Sequence, residues 1–239
     1  MPVEVAANVC ITPRDLLDDS DSFTNDIYDS KDIVEEQVHA TIARAFVDNS
    51  RSTDQIPPEF PDGLIKSATC YDRPIYKEGK QPSEETRNIL ISKYYDEYHQ
   101  KLRNALLNPN IVIALDCHSM AEIAPAVSPD TGNIRPLINL GDAEGTACDS
   151  EITQKLKKSF VEVFGFNDEE VSINKPFKGG FITRNYGNKP IPWIQIEMNR
   201  KLYLSEDYFS YDSLKMKGNR LNELNEKFRE VLQNFYERL

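Results

Sequence analysis

A chain of 239 residues with 39% hydrophobic and 28% charged residues carries enough apolar material for a sizeable core and lacks the composition of a disordered protein. Its formal net charge of −11 at pH 7 makes nucleic acid and anionic membrane poor partners, and no apolar run is long enough to span a bilayer. Four cysteines with no CxxC pair argue against a disulfide framework or a zinc ribbon; with no leader pattern, the expected location is the cytoplasm.

Near the start, Asp15, Asp18, Asp19 and Asp21 crowd into DLLDDSD. They suit turns and helix N-caps, or one or two of them face a cation. Lys31–Ala40 predicts a helix with Ile33, Val34 and Val38 on one side, and Thr41–Asp48 predicts a strand. That strand would deliver Asp48-Asn49-Ser50-Arg51 to a loop. There Arg51 either grips a substrate carboxylate by a two-point contact or is an ordinary surface arginine. Ser52–Gln81 reads as loop, broken by Pro57, Pro58, Pro61 and Pro74. Ser83 caps a helix running to about Leu107, with Leu90, Tyr94, Tyr98, Leu102 and Leu106 on one stripe. His39 is expected to be a surface or capping residue, and His99 to pack or to make a helix-surface hydrogen bond.

Ile111–Leu115 is an unbroken apolar run that predicts a buried strand, followed at once by Asp116-Cys117-His118-Ser119. Ligands of open α/β sheets bind beyond the carboxyl ends of strands, so His118 beside Asp116 and Ser119 is placed as a metal ligand or general base. The alternative is a strand end whose polar groups merely satisfy loop backbone. Ser119–Thr146 reads as a long loop, Asp149 and Ser150 cap a helix to Phe164, and Val171–Asn174 is a short strand. PFKGGFITRNYG (Pro176–Gly187) reads as a Gly-containing loop or hairpin turn carrying Lys178 and Arg184. In the strand Ile191–Met198, Ile194, Ile196 and Met198 alternate with Gln195, Glu197 and Asn199. A carboxylate on such a strand must be paired, hydrated or functional, because burying it alone is costly. The stretch from Tyr211 predicts a terminal helix. The alternation of helices and strands gives an α/β fold with one domain over 1–239.

With His118 and Glu197 both in view, the chain resembles the N-formylglutamate amidohydrolase (N-formylglutamate deformylase) family. The resemblance rests on DLLDDSDSFTNDIYD, VDNSR, ALDCHSM, GDAEGTAC, PFKGGFITRNYG and QIEMNR in that order. It implies a zinc-carboxypeptidase-like fold, a mixed central sheet with helices on both faces. It implies zinc, or another divalent transition metal, and hydrolysis of an N-formyl or N-acyl amino acid such as N-formylglutamate. On that basis His118 is a metal ligand, Asp21 a carboxylate ligand with Asp19 in reserve, and Glu197 the base for a metal-activated water. Asp116 and Ser119 support the ligands from behind. Arg51, Arg200, Arg184, Lys178 and Asn199 are candidates for the substrate. The family pattern also has a Pro-His-Ser/Gly-Gly segment whose His binds metal, whereas no histidine precedes His39 here, and VDNSR departs from Val-Asp-Leu-Asn-Arg. The rival readings are an aminoacylase or peptidase of the same architecture, and a binding module impaired by a missing ligand.

Overall fold

A computed structural model describes residues 1–239. In chain order the helices and strands are α1 (Pro13–Asp19), α2 (Thr24–Ile27), α3 (Glu84–Leu90), a π-helical segment Ile91–Asp96 and α4 (Glu97–Ala105). Then come β1 (Ala114–Met120), β2 (Ile138–Gly141), α5 (Ser150–Phe164), β3 (Val171–Ile173) and α6 (Phe181–Tyr186). The chain closes with β4 (Trp193–Asn199), α7 (Lys201–Leu204), β5 (Phe209–Ser210), β6 (Lys215–Met216) and α8 (Arg220–Tyr236). Packing divides these into two compact units: residues 1–20, 38–109 and 125–129 form one, and residues 21–37, 110–124 and 130–239 the other.

The second unit holds a four-stranded sheet in the order β1-β4-β2-β3. β1 runs parallel to β4, β2 antiparallel to β4, and β2 parallel to β3. The sheet is mixed and flanked by helices, as the α/β reading required. α5 starts on Asp149, whose side chain accepts from Glu151 N–H, and stops at Gly165 in the left-handed region (φ 72°). Its Leu156 and Phe160, with Leu224, Phe228 and Val231 of α8, are wholly or almost wholly buried. Burial of residues of this size contributes about 1.5–3 kcal/mol each.

Several expected elements differ. The strand predicted at Ile111–Leu115 begins three residues later and contains the polar motif, because its ladder starts where β4 starts, Ala114 opposite Trp193. Thus Asp116, His118 and Ser119 lie in the strand itself and not in a loop beyond it. Lys31–Ala40 is not helical: Ile33 is exposed, and the Gln37 side chain bonds Ser30 N–H and Tyr28 C=O across a turn. Without an apolar face to bury, a ten-residue helix is marginal. Thr41–Asp48 forms turns, not a strand, and Ala45, Phe46 and Val47 are all buried in succession instead of alternating. The loop expected over Ser119–Thr146 contains β2, Pro176–Gly187 contains α6, and the hairpin β5–β6 precedes α8.

In the first unit the helix capped by Ser83 is present, but its buried residues are Leu90, Tyr95, His99 and Leu102 rather than the stripe through Tyr94 and Tyr98. The π-helical turn between α3 and α4 adds a residue and rotates the inward face, giving a spacing of five between Leu90 and Tyr95. His99 is thereby turned inward, its Nε2 at 3.0 Å from Asn49 O.

Gly141, the last residue of β2, lets the Lys178–Gly179 backbone lie against the sheet. A Cβ there would sit 2.6 Å from Gly179 N and 2.9 Å from Lys178 C, both backbone atoms that no rotamer change can move. Gly141→Ala is expected to cost about 1–3 kcal/mol as an overpacked site, measured as a lowered midpoint in denaturant unfolding. An unchanged midpoint would show that this loop is not held where it lies.

Candidate active site

β1 is an edge strand, so part of its backbone is not met by another strand. Residues 21–28 cover that edge. Asp21 Oδ1 accepts Ser119 N–H at 2.8 Å and the Ser119 hydroxyl at 2.9 Å, and the Tyr28 hydroxyl donates to His118 C=O at 3.0 Å. Phe23, between them, is in the left-handed region (φ 65°), which a bulky residue adopts only when held there. Its ring packs edge-on against Tyr203 and Phe209, with centroids 6.4 and 5.9 Å away. The carboxylate of Asp21 is therefore delivered by a constrained turn.

The sheet has an apolar and a polar face. Ile138, Leu140, Ile194, Ile196 and Met198 fill the first, all with no exposure. On the second, β1 and β4 set Asp116 beside Gln195 and His118 beside Glu197. Neighbouring strands stand about 4.8 Å apart, so these side chains project together. His118 Nε2 lies 2.9 Å from Asp116 Oδ1, and the buried Thr183 hydroxyl of α6 donates to Asp116 Oδ2 at 2.9 Å. On the other side of the ring, His118 Nδ1 is 3.2 Å from Asp21 Oδ2. Gln195 Nε2 donates to Glu197 Oε1 at 2.7 Å, and Glu197 is only 6% exposed.

Negative charge dominates this face. Burial alone would lower the His118 pKa, but the Asp116 and Asp21 carboxylates outweigh it and raise it well above the ordinary histidine value. Burial, with Cys117, Tyr203, Glu197 and Asp21 around it, likewise drives the Tyr28 phenol well upward. The Cys117 thiol is pushed up to about 12 by burial and Asp116, against the opposing His118, which leaves it a poor nucleophile. Tyr203 is also raised, chiefly by burial, with Arg200 acting in the opposite direction.

A nitrogen and a carboxylate oxygen 3.2 Å apart match two ligands of one tetrahedral zinc, since donors at about 2.0–2.1 Å from the ion lie roughly 3.3 Å from each other. Asp116 on the opposite ring nitrogen is the carboxylate–histidine support that metal-binding imidazoles usually have. No group of three or more His, Cys, Asp or Glu side chains converges as a complete metal shell. The fit thus extends to two donors, His118 and Asp21.

The remaining candidates have protein partners. Asp19 is buried, accepts from Cys70 N–H at 2.7 Å and lies 3.7 Å from the buried Lys66 ammonium. Arg51 bonds Asp62 through Nε to its carbonyl and through Nη2 to its carboxylate, at 2.8 and 2.6 Å. Lys178 pairs with Glu144 at 2.7 Å, and Arg184 Nε donates to Gly179 O at 2.8 Å. Asn199 spends its amide on the backbone: Nδ2 donates to Arg135 O and Pro136 O, and Oδ1 accepts Lys201 N–H. Arg200 follows β4 directly and donates its own N–H to Met120 O. Thr183, Gln195, Tyr28 and Tyr203 join the site without having been singled out from sequence. Only Gln195 carried a readable signal, its two-residue spacing from Glu197 on one strand.

Asp62 shows what the charges near Arg51 do. Burial would raise its pKa, but Lys66, Arg44 and Arg51 hold the carboxyl at about 2. A carboxyl depressed in the folded state stabilises fully above its unfolded pKa, about 3.9, and loses that contribution as pH falls through the folded value. Asp62→Asn is therefore expected to flatten the fall in stability between roughly pH 4 and pH 2. Unfolding midpoints measured across that window check it; an unaltered acid slope would remove Asp62 from the account.

The family model described as N-formylglutamate amidohydrolase matches residues 1–204. A protein of Pseudomonas putida named N-formylglutamate deformylase is 31% identical over 205 residues, covering 82% of this chain and 74% of that protein. A protein of the same name from Pseudomonas aeruginosa is 29% identical over 199 residues, covering 80% of this chain and 73% of the relative. The crystal structure of an N-formylglutamate amidohydrolase from Ralstonia eutropha JMP134 superposes with a TM-score of 0.78 over 99% of this chain and 89% of the other, at 21% identity. That likeness is one of fold, whereas the family match spans most of the sequence, and so the chain belongs to the N-formylglutamate amidohydrolase family.

Proposed function

We propose that this protein hydrolyses the amide bond of an N-formyl amino acid, N-formylglutamate in the first place, releasing formate and the free amine. The relatives' names supply the substrate class. The observation that carries the chemistry is the in-register pairing of His118 and Glu197 on one polar sheet face, with Asp21 on the far side of the imidazole. Glu197 takes the proton of the attacking water as the carbon–oxygen bond forms, and returns it to the leaving nitrogen as the carbon–nitrogen bond then breaks. Gln195 holds one oxygen of that carboxylate in place. Asp116, steadied by Thr183, fixes the plane of the His118 ring.

His118 and Asp21 would hold a divalent metal, zinc by the chemistry of the donors, and when bound it polarises the scissile carbonyl. Arg200, whose charge is felt at Tyr203 beside Asp21 and Glu197, is proposed to receive a substrate carboxylate. Lys178 and Arg184 reach such a group only by exchanging their present partners.

The absence of a third His, Cys, Asp or Glu donor favours a second reading, a module that binds such compounds without turning them over. Assaying N-formyl, N-acetyl and peptidyl derivatives of glutamate side by side, with zinc supplied, separates the readings. Preference for the formyl compound supports the deformylase reading, preference for another amide makes the protein an aminoacylase or peptidase, and saturable binding with no turnover supports the module.

A further inference from the structure

Gln195 is fixed in one orientation by its neighbour. An ionised carboxylate only accepts hydrogen bonds, so the amide must present Nε2 to Glu197 Oε1, at 2.7 Å, and turn Oε1 away. That Oε1 is buried and has no hydrogen-bond partner, and Gln195 as a whole is 5% exposed. Buried acceptors left unmade are costly and uncommon in native proteins, and those that persist call for a specific explanation. The group lying over this amide is Gly180: a Cβ built there would be 3.9 Å from both Oε1 and Nε2.

We infer that Gln195 Oε1 is the acceptor for the N–H of the scissile amide, making Gln195 a specificity-determining residue that selects secondary over N-alkylated amides. This rests on the amidohydrolase reading above. One side chain then performs two tasks: its Nε2 positions Glu197, and its Oε1 aligns the nitrogen that must leave. In so dry a place a lone acceptor discriminates strongly, because an amide without an N–H leaves it unpaired.

The test compares kcat/KM for N-formyl-L-glutamate and N-formyl-N-methyl-L-glutamate in wild type and in Gln195→Met, which keeps length but lacks the amide oxygen. Wild type is expected to prefer the N–H compound by roughly ten- to a hundredfold, and the variant by no more than about threefold. Positioning of Glu197 alone would slow both substrates equally and keep the ratio, and a steric bar to the methyl group would also keep it. A preserved ratio therefore overturns the inference while leaving the deformylase reading intact. Should wild type turn over neither amide, the reading and the inference fall together. If Gln195→Met does not fold, wild type decides through a matched pair of inhibitors, N-acetyl-L-glutamate and 2-acetoxyglutarate, which differ only in carrying N–H or oxygen at the scissile position. The oxygen compound should inhibit about tenfold more weakly in initial-rate assays, and equal constants would overturn the inference.

Discussion

Glu197→Gln is expected to lower kcat by about a hundred- to ten-thousand-fold, the usual contribution of a general base, while zinc uptake and the unfolding midpoint stay near wild type. The substitution keeps the size of the side chain and an oxygen that can accept from Gln195 Nε2, now 2.7 Å from Glu197 Oε1. It removes the ability to take a proton. A carboxylate serving only as a structural partner would give the opposite pattern, a lowered midpoint with turnover largely retained. Measuring kcat and thermal unfolding on the same preparation tells the two apart, and an active but destabilised variant would refute the catalytic role.

His118→Ala is expected to abolish zinc uptake and bring turnover to background. The ring stands between Asp116 and Asp21, touching the first through Nε2 and the second through Nδ1. Without it, Asp116, which is 6% exposed, keeps Thr183 as a donor but loses the imidazole that bonds its other oxygen, and Asp21 keeps only Ser119 among the bonds described above. A buried carboxylate left without one of its hydrogen-bond partners is destabilising, so a lower unfolding midpoint should accompany the loss. Elemental analysis after equilibration with zinc, run beside wild type, checks the claim. Equal zinc content in the two proteins would take His118 out of the metal site.

Three of the four sheet strands and the long amphipathic helices were legible because their signals are local: apolar alternation around Glu197, the Ser83 and Asp149 caps, and the stripe of α8; β2, only four residues long, reads as loop. The failures have local causes too. Ile111–Ile113 looked like the heart of a strand, but the ladder is set by where β4 begins, and that is a tertiary fact. Thr41–Asp48 alternates convincingly, yet a segment with no neighbouring strand to pair with does not become one. The phase of the helix after Ser83 was lost at a π turn, which leaves no mark in hydrophobic spacing.

In the site, His118 and Glu197 stood out because ionisable groups on apolar strands are conspicuous. What Asp21 does could not be separated from its neighbours by spacing. Its distinction is that the left-handed turn at Phe23 delivers it to the open edge of β1, while Asp19 is held by Cys70 and Lys66. Thr183 and Tyr28 have ordinary sequence contexts, and only the fold reveals that their hydroxyls meet Asp116 and the His118 carbonyl.

Deformylation through Glu197 is measured as formate release from N-formyl-L-glutamate by the zinc-supplied protein, with Glu197→Gln prepared identically. Wild type is expected to release formate and glutamate in equal amounts, and the variant to release them at least about a hundredfold more slowly. Formate release by wild type that does not exceed that of Glu197→Gln would contradict that expectation.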